Sequence, residues 1–111
     1  MTTVTLEILP SGSISGFSSA GHAGYAESGS DIVCAAVSAI LQTAYLGLAE
    51  VAGLSLGMEM KDGYMAVILE KSLSDNSRHD ADIILETMRK GLISLKNAYP
   101  EYLNIDERRC N

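Results

Sequence analysis

Two side chains in this sequence of 111 residues are matched for nucleophilic chemistry: His22 and, twelve positions later, Cys34. A thiolate attacks carbonyl carbon, and an imidazole within hydrogen-bonding reach can take the thiol proton and pass it to a leaving amine. The spacing predicts that Cys34 lies three or four residues into a helix, in its first turn. Unpaired N–H groups and the positive end of the helix dipole favour the thiolate there, and the same groups could hold the oxyanion of a tetrahedral intermediate. A structural reading stands beside the catalytic one. Ile32, Val33, Cys34, Ala35 and Ala36 form an apolar run, and cysteine is among the most buried residue types. Spacing alone leaves both open.

The neighbours of this pair carry further chemistry. Asp31 fits best as a helix cap that anchors the loop before it. Orienting His22 is its alternative role, although a carboxylate there would work against thiolate formation. Ser38, one turn after Cys34, shares its helix face; it either hydrogen-bonds near the nucleophile or bonds back to the carbonyl of Cys34. Between His22 and the helix, Gly24, Tyr25, Glu27 and Gly29 read as a loop able to meet substrate. Glu27 there is either a contact for a basic substrate or a solvated charge, and Tyr25 either lines a groove or packs. His79, between Arg78 and Asp80, reads as a surface histidine. Cys110, near the end of the sequence, has no base at fixed spacing and reads as inert or disordered. Zinc is disfavoured because no CxxC, HxxxH or CxxxH pair occurs. A phosphate-cradling glycine loop with a lysine is absent too, so no metal or cofactor is expected.

The elements that position these residues follow from periodicity. Residues 3–9 alternate, with Val4, Leu6 and Ile8 on one side, as a half-buried strand does. Pro10-Ser11-Gly12 turns the chain. Residues 13–22 form a second strand in which Ile14 and Phe17 fall on opposite faces unless a bulge intervenes. A glycine-rich loop covers 21–30. The first helix then starts at Ser30 or Asp31, both good N-caps, and runs to about Ala52 before Gly53 stops it. Residues 54–60 alternate, Asp62-Gly63 is a hairpin signal, and 64–70 returns as the partner strand. Ser77 is expected to cap a second helix with Asp80 in the manner of a capping box, Ala81 to Tyr99 mark its apolar face, and Pro100 ends it. Residues 102–105 add a short strand, and 106–111 fray. The order is ββαββ(α): an α+β two-layer sandwich, a mostly antiparallel sheet covered by two long helices. One domain over residues 1–111 accommodates it.

Composition narrows the partners. Net charge is −6 and the eight Lys and Arg are scattered, so there is no basic stripe for direct binding of nucleic acid. An acidic protein meets basic partners readily. From 32 to 49 no charge interrupts the chain, close to the length of a spanning helix. However, Ser38, Gln42 and Thr43 break the run, and no Lys or Arg flanks it. It is expected to be a helix buried inside a soluble protein, with no membrane role. The first ten residues carry no secretory pattern, and two distant cysteines make no disulfide framework, so a cytoplasmic location is expected.

The string Gly21-His22-Ala23-Gly24-Tyr25-Ala26-Glu27, followed by residues 29–39 (GSDIVCAAVSA), closely resembles the signature of the ribosomal-processing cysteine protease family, Prp. The likeness continues through the Asp62-Gly63 hairpin to Tyr99-Pro100-Glu101-Tyr102. It implies that His22 and Cys34 form a catalytic dyad in a homodimeric endopeptidase. It implies too that the loop between them orders when substrate binds. The implied substrate is the precursor of large-subunit ribosomal protein number twenty-seven, a basic protein whose N-terminal extension is removed after an aromatic residue. Two other readings remain at this point. One is a non-catalytic dimeric adaptor that binds a ribosomal protein during ribosome assembly. The other is a thiol redox sensor with Cys110 as the resolving partner.

Overall fold

The computed structural model describes residues 1–21 and 28–110. The chain runs β1 (Thr2–Ile8), β2 (Ile14–Ala20), α1 (Ser28–Leu46), a π-helical turn (Gly47–Val51), β3 (Leu56–Lys61), β4 (Tyr64–Leu69), α2 (Asp75–Ala98) and β5 (Leu103–Arg109). Among the described residues five strands form one sheet in the order β3-β4-β2-β1-β5. All neighbours are antiparallel except β1 and β5, which run parallel with Thr2 opposite Leu103 and Ile8 opposite Arg109. The expected α+β sandwich of a mostly antiparallel sheet and two long helices is what is observed.

The alternation of β1 does what its pattern dictates: Val4 and Leu6 are fully buried while Thr3, Thr5 and Glu7 are half-buried on the other face. The conflict in β2 is resolved by a bulge. Glu7 pairs with Gly16 but Ile8 pairs with Ile14, so Ser15 is an extra residue. Ile14 and Phe17 therefore both enter the core, each 2% exposed. The helices supply the other half of that core. Val33, Val37, Leu41, Ala44 and Leu48 come from α1 and the turn after it, and Ala81, Leu85, Met88 and Leu92 come from α2. Arg78 at the start of α2 donates to the Ile14 carbonyl at 3.1 Å, and Ser13 donates to Asp82 at 3.2 Å, pinning this helix to the first hairpin.

Four expectations are corrected. Helix α1 begins at Ser28, not at Ser30 or Asp31, so Asp31 is a first-turn acid rather than a cap. Helix α2 is capped by Ser74, whose hydroxyl accepts the Ser77 N–H, and not by Ser77. The segment expected to fray beyond 105 is strand β5, because its backbone completes the ladder on β1 and Lys96 donates to the Leu103 carbonyl at 2.8 Å. Helix α1 is buried on one face only. By length and composition the stretch Asp31–Val51 could cross a membrane, yet only 28% of its most apolar window is buried within the chain. Its outer face, with Ile32, Leu46 and Val51 exposed, is left uncovered.

Candidate active site

Cys34 is half-buried in the second turn of α1. The early start of the helix matters here. The unpartnered N–H groups of a helix are its first four, which puts them at residues 28–31, one turn before the thiol. The expected first-turn placement is therefore corrected: Cys34 lies in the second turn of the helix.

What Cys34 does face is a pocket of about 250 Å³. One wall is the flank of α1, where Cys34, Ser38 and Gln42 recur every fourth residue. The facing wall is the β3–β4 hairpin from Met60 to Tyr64, turned at Asp62-Gly63 with Gly63 at φ +73°. Thr2, Ser19, Ala20 and Gly21 close one end, with Val37 and Met65 also lining it. The pocket thus brings a thiol, hydroxyls, an amide and an acid–base pair of side chains, Lys61 and Asp62, to one concavity.

Gly21 holds the end of this wall. Its φ is +146°, a region that other L residues rarely adopt. A Cβ there would stand 2.6 Å from the Met1 carbonyl oxygen and 2.8 Å from Thr2 Cα. Its N–H donates to the Gly63 carbonyl at 3.1 Å, tying the end of β2 to the hairpin turn. The next residue is His22. His22, Gly24, Tyr25 and Glu27 lie outside the described residues. Gly29, expected in the loop, belongs to the first turn of α1. Asp31 is exposed at the start of the helix and does not line the pocket, whereas Ser38 does.

Gln42, Met60, Lys61 and Tyr64 were not singled out from sequence. For Gln42 a signal existed, since 34, 38 and 42 follow the four-residue repeat of a helix stripe. For the hairpin none did, because only the sheet order brings β3 and β4 beside α1.

Cys110 is neither disordered nor near this pocket. Its N–H donates to the Ile8 carbonyl at 2.8 Å and its thiol donates to Glu7 Oε2 at 3.2 Å. That hydrogen bond to a carboxylate pushes the thiol pKa up, with desolvation and the Glu7 charge adding to it and Arg108 opposing. Thr2 lines the Cys34 pocket while Ile8 holds Cys110, and six residues of strand between them span about 20 Å. A disulfide needs Cα atoms within about 7 Å. The two thiols cannot pair without dismantling the sheet, which removes the resolving partner a redox sensor would require. Surface position is what the structure gives His79, which is exposed on α2.

The description "Cysteine protease Prp" belongs to the family whose sequence profile matches residues 1–104. The ribosomal processing cysteine protease Prp of Bacillus subtilis (strain 168) is 30% identical over 91 residues, covering 80% of this chain and 81% of that one. Among solved structures, the essential ribosomal processing protease Prp from S. aureus in complex with a substrate peptide superposes with a TM-score of 0.85. It is 24% identical, with 97% of this chain and 100% of that chain covered. The same protein with a covalently linked product peptide gives a TM-score of 0.82 at 25% identity and the same coverage. A thiol in a cleft between a helix flank and a hairpin, in a fold and sequence shared along nearly the whole length, leads to one conclusion: the chain belongs to the Prp family of ribosomal-processing cysteine proteases.

Proposed function

We propose that this protease removes the N-terminal extension from the precursor of large-subunit ribosomal protein number twenty-seven, cutting after an aromatic residue, with Cys34 as nucleophile and His22 as general base. The observation that carries the reading is the pocket itself: Cys34 opens into it, and Gly21, the residue before His22, forms its wall. His22 takes the thiol proton, and the thiolate sulfur attacks the scissile carbonyl carbon. The carbonyl oxygen becomes an oxyanion, toward which the Ser38 hydroxyl, one turn along α1 and lining the same pocket, is able to donate. The amine departs with the proton held by His22, leaving a thioester. Water then gives its proton to His22 and its oxygen to the acyl carbon, and the thiol is regenerated. The acidity of the chain, −6 overall, suits a basic ribosomal precursor, met in the cytoplasm. The Bacillus subtilis relative is named for ribosomal processing, and the S. aureus relative is bound to a substrate peptide and, in a second structure, covalently to a product peptide.

The active species is a homodimer on this reading. The uncovered faces of α1 and α2 form an apolar trough of about 540 Å³, with Ala39, Thr43 and Gly47 on one side and Ile83 and Thr87 on the other. Those residues recur every fourth position along α1 and the turn after it and let a second copy approach closely.

Incubating the protein with the extended precursor and reading the new N-terminus by mass spectrometry tests the activity. Cys34→Ala is expected to abolish cleavage with circular dichroism unchanged, and His22→Ala to reduce it at least ~100-fold. Wild-type turnover by either variant refutes the dyad.

A further inference from the structure

A sheet of five strands in an open order has two edges, here β3 and β5. An edge strand turns the N–H and C=O of alternate residues away from its partner, and folded proteins normally block that template with charge or cover. β5 is blocked in both ways. Asp106, Glu107, Arg108 and Arg109 run along it, Arg89 pairs with Glu107 at 2.9 Å, and Lys96 occupies the Leu103 carbonyl. β3 is not. Five of its six residues are exposed, and among the described residues β4 is its one strand partner.

The two faces of β3 differ sharply. Glu59 and Lys61 share the outer face, 3.9 Å apart. Leu56, Met58 and Met60 share the face that looks toward the helices, where the register pairs them with buried Leu69, Val67 and Met65. Met58 and Met60 are nevertheless 41% and 49% exposed, so they form an apolar shelf beyond the cover of α1. Methionine is an adaptable surface for apolar side chains of varied shape. The shelf also leads to the thiol: Met60 and Lys61 line the Cys34 pocket, and Gln42 of α1 stands on the other side of that pocket. The less protected edge is thus continuous with the Cys34 pocket through Met60 and Lys61.

From this we infer that the substrate docks as a sixth strand on the free edge of β3, its backbone completing the ladder and alternate side chains lying on Met58 and Met60, so that an extended peptide is delivered to Cys34. Ladder hydrogen bonds bind any extended backbone, and the apolar shelf selects among side chains at every second position. The occupant is an unfolded, extended segment with apolar residues in alternation, and a segment held in a helix is excluded. The inference rests on the protease reading above and adds the mode of recognition.

The test uses the full chain and a synthetic peptide spanning the precursor's cleavage junction. In the Cys34→Ser variant, hydrogen exchange of the amides in 56–61 is expected to slow at least ~10-fold when peptide is added, while 103–109 is unchanged. With wild-type protein, single N-methylation along the peptide is expected to lower kcat/KM ~10-fold or more at alternate positions and less than ~2-fold between them, since only alternate N–H groups enter a ladder. Unprotected β3 amides, whether or not the peptide binds elsewhere, overturn strand addition. So do N-methylation losses without alternation. Cleavage of the unmodified peptide by wild-type protein is scored separately: turnover with an unprotected β3 discards only the docking mode, whereas absence of turnover on peptide and precursor alike discards the protease reading.

Discussion

At the scale of single residues the site depends on side chains that are missing as much as on those present. Gly21 has positive φ and no room for a Cβ between Met1 and Thr2. Gly21→Ala is expected to cost about 1–3 kcal/mol, seen as a lowered Tm, and to depress kcat further than this loss of folded protein explains, because the residue leads directly into His22. Cleavage rates normalised to folded fraction check it. Cys110 gives a second prediction. Glu7 holds its thiol in the protonated form, so iodoacetamide at neutral pH should label Cys110 slowly, and Glu7→Ala should speed that labelling. The sign of the pH effect follows. A pKa raised by folding contributes stability that is intact at neutral pH and is lost as the pH climbs through the raised value. Peptide mapping by mass spectrometry across pH 7 to 10 checks both. The family was legible from the sequence because the motif string around His22 and Cys34 is specific. Gln42 and the hairpin wall were not, since no local pattern announces which loop will face a helix flank.

At the scale of elements, types and order were legible and boundaries were not. Strict alternation in β1 and the Asp62-Gly63 turn leave one physical solution each. The helix starts failed because several cap-capable residues stand in a row. Ser74 and Ser77 are both able to cap α2, and the choice falls to Ser74, which reaches the Ser77 N–H at 3.2 Å. Ser74→Ala is expected to cost about 1 kcal/mol, and Ser77→Ala much less, as thermal melts would show. The same ambiguity at Ser28, Ser30 and Asp31 moved Cys34 from the first turn to the second. The bulge at Ser15 was anticipated as a condition, because two core-sized side chains three residues apart cannot share a face of a regular strand. The extension of β5 from 105 to 109 escaped notice for a different reason. Its residues, Leu103-Asn104-Ile105-Asp106-Glu107-Arg108-Arg109, are highly charged, and a parallel partner a whole chain away overrides their weak strand propensity.

At the scale of the whole molecule the uncovered helix face is the main unspent surface. An apolar stretch long enough for a membrane but buried on one side only calls for a partner of similar character. A second copy supplies it in the arrangement proposed above. Ile83, 56% exposed on α2, is placed to test this: Ile83→Glu is expected to yield a monomer by analytical ultracentrifugation with its fold retained. A dimer of undiminished stability would point to a different contact face.

The parallel pairing of β1 with β5 also governs how the chain reaches this state. The first strand sits inside the sheet, yet one of its two neighbours is encoded about a hundred residues later. Closing so large a loop is entropically expensive, and topologies with such distant pairings fold slowly. Until β5 arrives, β1 offers a bare row of backbone groups to any other chain. The hairpins and helices are therefore expected to form early, and the capture of β5 to set the rate at which competent protease accumulates.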